Sequence, residues 1–167
     1  MIVVFCGLPA TGKSFLAKRV ARKIDAVHLN TDILRKELVK EPVYSEEEKK
    51  RVYDELFGKA REIVSEGKNL VLDGTFYRKG LRDVVEEIAS SAEQKAFFIE
   101  CRCDEKTIKK RLEKRKKKKL ASDADDIEIY KLVEKNFDPI ESQHLVVEGE
   151  LPEKEKIERV LKWLNPE

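Results

Sequence analysis

Eight residues near the start of the chain, Gly7-Leu8-Pro9-Ala10-Thr11-Gly12-Lys13-Ser14, have the types and spacing to hold phosphate. The two glycines let the backbone curl so that successive N–H groups turn inward as a nest for an anion. A helix opening at Lys13 would add the positive end of its dipole. In this reading Gly7, Pro9, Ala10, Thr11, Gly12 and Lys13 wrap the phosphates of ATP. Lys13 reaches the β- and γ-phosphates, and the Ser14 hydroxyl sits on Mg²⁺.

Three further groups have chemistry to offer. Asp73 closes the apolar run Asn69-Leu70-Val71-Leu72. An acid there helps hold Mg²⁺, or else caps the turn at Gly74. Asp32 and Arg35 are three apart, which puts them on one face of a first helical turn. Such a carboxylate can accept the proton of an attacking hydroxyl, and the arginine can clamp an anion or orient the carboxylate. The plain alternative is that Thr31 or Asp32 caps the helix. Arg111 and Arg115 precede Lys116-Lys117-Lys118-Lys119. They read as a lid whose arginines face ATP, with most of the lysines solvated or available to nucleic acid. His28, His144 and Trp163 lack a partner pattern and read as structural. Cys6, Cys101 and Cys103 read as buried thiols, since no zinc spacing accompanies them.

The elements that must position these residues follow from periodicity. Residues 1–6 form an apolar strand, and Leu16, Ala17, Val20, Ala21 and Ile24 share a helix face after the loop. Ala26–Leu29 is a short strand. A helix through Leu34, Leu38 and Val39 follows, broken at Pro42. Ser45 and Glu48 make a capping box for a long helix that buries Val52, Leu56, Ala60, Ile63 and Val64 and stops at Gly67. Strand 69–72 precedes a helix with Leu81, Val84, Val85 and Ile88. Strand 95–99 precedes one with Thr107, Ile108, Arg111 and Leu112 that dissolves into the basic run. Ser122–Asp125 caps a helix to about Asn136. Strand 145–147 and a helix opened by Pro152 complete the chain. Five apolar strands alternating with helices imply a parallel sheet covered on both faces, with ligands beyond the strands' carboxyl ends.

With 167 residues, one domain spanning 1–167 is expected. Lys+Arg number 35 against 33 Asp+Glu, so the whole chain is no polyanion magnet and any basic surface is local. No apolar run is long enough to span a bilayer and no signal peptide precedes the first strand, so a cytoplasmic protein is expected.

Gly7-x-x-x-x-Gly12-Lys13-Ser14, Asn30-Thr31-Asp32-x-x-Arg35, Leu72-Asp73-Gly74-Thr75-Phe76 and then Arg82 together resemble the P-loop kinases related to polynucleotide 5′-hydroxyl kinase. That group includes small predicted kinases, seryl-tRNA kinases, chloramphenicol phosphotransferase and zeta toxins. The resemblance covers nearly the whole chain. It implies a three-layer α/β/α P-loop NTPase fold, a five-stranded parallel sheet of order 2-3-1-4-5, and a helical lid over about residues 114–124. It also implies Asp32 as general base, Arg35 at the acceptor, Asp73, Thr75 and Arg82 at the substrate, and Arg111 or Arg115 as the lid arginine. The expected activity is transfer of the ATP γ-phosphoryl group to a hydroxyl, of a polynucleotide 5′ end or of a small molecule. The alternative is a nucleotide-dependent switch or ATPase acting through a protein or RNA partner.

Overall fold

The computed structural model describes residues 1–117 and 127–165. Strand β1, Ile2–Cys6, is buried at every position because it lies in the middle of the sheet with helices on both faces. The other strands are β2 (Ala26–Asn30), β3 (Asn69–Asp73), β4 (Ala96–Arg102) and β5 (His144–Glu148). All pairings are parallel and the order is β2-β3-β1-β4-β5, as the resemblance implied. The register sets Phe5 against Asp73 and Asn30 against Asp73, which levels the carboxyl ends of three adjacent strands.

Side-chain alternation along β1 divides the core. Ile2, Val4 and Cys6 face α2 (Thr31–Leu38), α3 (Glu46–Ser65) and α4 (Lys79–Ser91), through Leu34, Val52, Leu56, Ala60, Val85 and Ile88. Val3 and Phe5 face α1 (Lys13–Lys23) and α7 (Glu153–Leu164), through Leu16, Ala17, Val20, Val160 and Leu164. Each large aliphatic side chain buried this way contributes about 1.5–3 kcal/mol. A third cluster joins Ala10 of the loop to Ile108 and Leu112 of α5 (Glu105–Lys117) and Tyr130 of α6 (Ile127–Lys135).

Half of the expected Ser45–Glu48 box forms, since the Glu48 carboxylate turns to the N–H groups of Val43 and Tyr44 rather than to that of Ser45. Ser45 Oγ accepts from the Glu48 N–H at 3.1 Å, and Gly67 takes φ +73° past the helix end. Several boundaries differ from the sequence reading. Val39 is extended and lies outside α2, and β4 runs on to Arg102 because it is flanked by β1 and β5. α5 stays helical through Lys117 instead of dissolving at Lys114, rooted by Ile108 and Leu112. The expected cap at 122–125 and the lid beyond residue 117 lie outside the described residues. Among the described residues no helix is long and apolar enough to cross a membrane.

Candidate active site

The loop between β1 and α1 has the backbone that an anion nest requires. Gly7, Ala10 and Gly12 have φ of +133°, +62° and +88°. Gly7 is needed for space as well as conformation, since a Cβ there would lie 2.4 Å from the Cys101 carbonyl oxygen. Gly7→Ala is therefore expected to cost at least about 2 kcal/mol and to lower Tm by roughly 4–8 °C. An unchanged melting curve would mean that β4 can move away. Thr11 Oγ1 donates to Leu8 O at 3.0 Å, and Lys13 Nζ donates to the same oxygen at 3.2 Å, so the lysine arches over the loop it opens from. Pro9 lies between these anchors.

Asp73 sits at the end of β3 with 0% exposure. Its Oδ1 accepts from Ser14 Oγ at 3.1 Å. Its Oδ2 lies 2.5 Å from Asn30 Nδ2 and 3.3 Å from His28 Nε2. The sequence reading paired Ser14 with Asp73 at the metal but assigned nothing to Asn30, and it left His28 as structural. Mg²⁺ suits this donor set. It takes one or two hard protein oxygens and completes its octahedron with phosphates and water. Among the described residues there is no group of three or more His, Cys, Asp or Glu that could hold a metal ion. Asp73→Asn is expected to weaken the Mg²⁺ dependence of activity roughly tenfold or more, with ATP binding in EDTA changed less than about twofold. A Mg²⁺ titration matching wild type would return Asp73 to capping the turn at Gly74.

Neither Thr31 nor Asp32 caps α2. Asn30 does, its Oδ1 accepting from the N–H groups of Asp32 at 2.9 Å and Ile33 at 3.0 Å. That leaves the Asp32 carboxylate free for other work, and its side chain is 71% exposed. Arg35 Nη1 donates to Asp32 Oδ1 at 3.1 Å. On its other side Arg35 Nε lies 2.9 Å from Glu48 Oε1, an ion pair without hydrogen-bond alignment. Its guanidinium carbon is 4.7 Å from the Tyr44 ring. Glu48 is itself fixed, Oε2 accepting from the N–H groups of Val43 at 2.7 Å and Tyr44 at 3.1 Å. Of the two roles open to Arg35, this geometry suits orienting the carboxylate, because its side chain is only 9% exposed.

Arg111 and Arg115, expected at a lid, differ in placement. Arg111 Nη1 donates to Ala10 O at 3.0 Å and Nη2 to Gly149 O at 3.3 Å, so its guanidinium spans the phosphate loop and the turn after β5. Arg115 lies one turn further along α5. Both line a cavity of about 440 Å³ with Ala10, Gly12, Phe15, Lys114 and Lys156. Lys156, absent from the sequence reading, donates to Gly149 O at 3.1 Å. Gly149 admits no side chain, because a Cβ would lie 2.8 Å from Thr11 O.

The structure does not place Arg82 with the open groups. It is 4% exposed and donates to the carbonyls of Phe76, Asp138 and Pro139 at 2.7, 2.8 and 2.9 Å. It thereby holds the segment after α6 against the turn after β3. Thr75 is half-buried in that turn, and its carbonyl accepts from the Gly7 N–H at 3.3 Å. Cys6 and Cys101 are buried and Cys103 is half-buried. Burial pushes the Cys101 thiol up to about 12; burial, with a hydrogen bond to Glu150, does the same for Cys103. Cys6 and Cys101 are buried small hydrophobes, as the sequence suggested; Cys103, expected to be buried, instead lies part-exposed after β4, where its thiol donates to Glu150 Oε1 at 2.8 Å.

Comparison with known proteins places this arrangement. The chain is 33% identical over 109 residues to the uncharacterized protein Rv2004c of Mycobacterium tuberculosis (strain ATCC 25618 / H37Rv). That match takes in 58% of this chain and only 22% of the mycobacterial protein. A putative kinase from Chloroflexus aurantiacus superposes with a TM-score of 0.76 at 19% identity, covering 98% of each chain. The APS kinase CysC of Mycobacterium tuberculosis, solved with AMPPNP and APS, superposes with a TM-score of 0.73 at 19% identity, covering 98% of this chain and 96% of that one. These superpositions show that the chain shares the α/β fold of these proteins. The profile of the AAA domain family AAA_33 matches residues 2–139, from β1 through the phosphate loop, Asp32 and Asp73 to the residues that hold Arg82, and the chain belongs to that family.

Proposed function

We propose that this protein is an ATP-dependent kinase that moves the γ-phosphoryl group to a hydroxyl acceptor. The observation that carries the reading is the exposed Asp32 carboxylate. It is held by Arg35 and opens a helix at the same sheet edge as the phosphate loop. A protein that only hydrolysed nucleotide would need a group that positions water at the γ-phosphate rather than a carboxylate after the second strand.

In this reading the nest of residues 7–12 and Lys13 bind the phosphates, while Arg111 offsets charge on the transferring group. Ser14 and Asp73 hold Mg²⁺, which neutralises phosphate charge when bound. The acceptor oxygen attacks the γ-phosphorus, the bond to the β–γ bridging oxygen breaks, and ADP leaves with that electron pair. The acceptor's proton passes to Asp32. The candidate acceptors are a polynucleotide 5′-hydroxyl and small alcohols, and the kinase names of the solved neighbours favour phosphoryl transfer as the class.

The test is a screen with γ-labelled ATP against 5′-hydroxyl oligonucleotides and a panel of sugars and other alcohols. Label on an added alcohol, faster than release to water, is the expected result. Release to water alone, unchanged by every acceptor, would point to the ATPase or switch.

A further inference from the structure

Asn30 is 8% exposed and uses both ends of its side-chain amide. The oxygen accepts from two backbone N–H groups of α2. The nitrogen donates to Asp73 Oδ2 and lies 3.4 Å from Ser14 Oγ. The two ends cannot be exchanged, since donors face the oxygen and a carboxylate faces the amino group. Other capping residues would serve α2 equally well. An aspartate, however, would set a second carboxylate against Asp73, and a serine has no amide to reach it. The cap alone does not call for asparagine; the contact with Asp73 does.

The consequence lies in how the two oxygens of Asp73 are divided. Oδ2 is held back by Asn30 and His28, which leaves Oδ1 turned to the Ser14 hydroxyl. We infer that Asn30 is a positioning residue: it locks the Asp73 carboxylate so that a single oxygen is offered beside Ser14, and it ties that carboxylate to the helix bearing Asp32. This rests on the proposal that Ser14 and Asp73 take up Mg²⁺ with ATP. Ligand-orienting contacts of this kind are commonly worth 10–100-fold in metal affinity.

The test measures AMPPNP affinity by calorimetry, once with Mg²⁺ and once with EDTA, and reads the ratio as the gain due to metal. Asn30→Ser keeps a capping oxygen and removes the amide. It is expected to cut the gain roughly tenfold, with binding in EDTA changed less than about twofold. In an Asp73→Asn background the same substitution should have no further effect on the gain, because it acts through that carboxylate. Asn30→Thr, which also caps, is read in the same way should the serine variant fold poorly. A normal gain in the Asn30 variants while Asp73→Asn loses it would overturn the inference and leave the metal reading intact. Equal losses with and without Mg²⁺ would overturn it too, as the mark of a merely structural residue. A normal gain in Asp73→Asn itself would remove the metal reading and this inference with it.

Discussion

Replacing Asp32 with Asn is expected to leave ATP bound and to slow transfer to the acceptor roughly 10²–10⁴-fold, the usual worth of a general base. The side chains are nearly isosteric, so the contact with Arg35 keeps its geometry while the proton acceptor is lost. The phosphate loop loses nothing, because the side chains that hold it are Thr11, Lys13 and Arg111, and among the described residues none of its hydrogen bonds involves Asp32. The low end of the range is expected if the phosphoryl transition state is loose, since little proton transfer then accompanies bond making. The measurement pairs ATP calorimetry with transfer to the acceptor found by the screen. Near-normal transfer would end the case for Asp32 as base and move the assignment toward the switch.

Arg111→Ala is expected to lower kcat roughly a hundredfold or more, by analogy with arginine fingers, and to change ATP affinity much less. The guanidinium already reaches the loop carbonyl of Ala10, so it can meet charge that develops beside Lys13. Arg111→Lys should recover only part of the rate, because an ammonium cannot span two carbonyls as the planar fork does. Arg115→Ala is expected to have the smaller effect. The reverse order would assign the catalytic charge to Arg115. No effect from either would leave the basic end of α5 to another partner.

The strands and their parallel arrangement were legible because buried runs such as Ile2–Cys6 and Leu70–Leu72 cannot be placed elsewhere. Ser14 and Asp73 were legible as a pair, as each follows a strand at one edge and they now share a hydrogen bond. The order of the strands came from resemblance, since periodicity does not say which neighbour a strand chooses. Arginine roles were the hardest to read. Arg82 and Arg111 look alike in local sequence, yet one is buried against three carbonyls and the other borders the loop. That choice is made by Asp138, Pro139 and Gly149, residues distant in the chain. Asn30 escaped for the same reason: its cap is local, but its contact with Asp73 spans 43 positions.

The levelled ends of β2, β3 and β1 have a further consequence for how such a protein diversifies. The phosphate loop and Asp73 grow directly from the inner strands, so changing them disturbs the core. The turn over residues 39–45, by contrast, meets Arg35 through the Tyr44 ring and Glu48 through the N–H groups of Val43 and Tyr44, and Val43 within it is 73% exposed. On the proposed reading, this turn can vary beside Asp32 and Arg35 without altering the strands from which the phosphate loop and Asp73 grow.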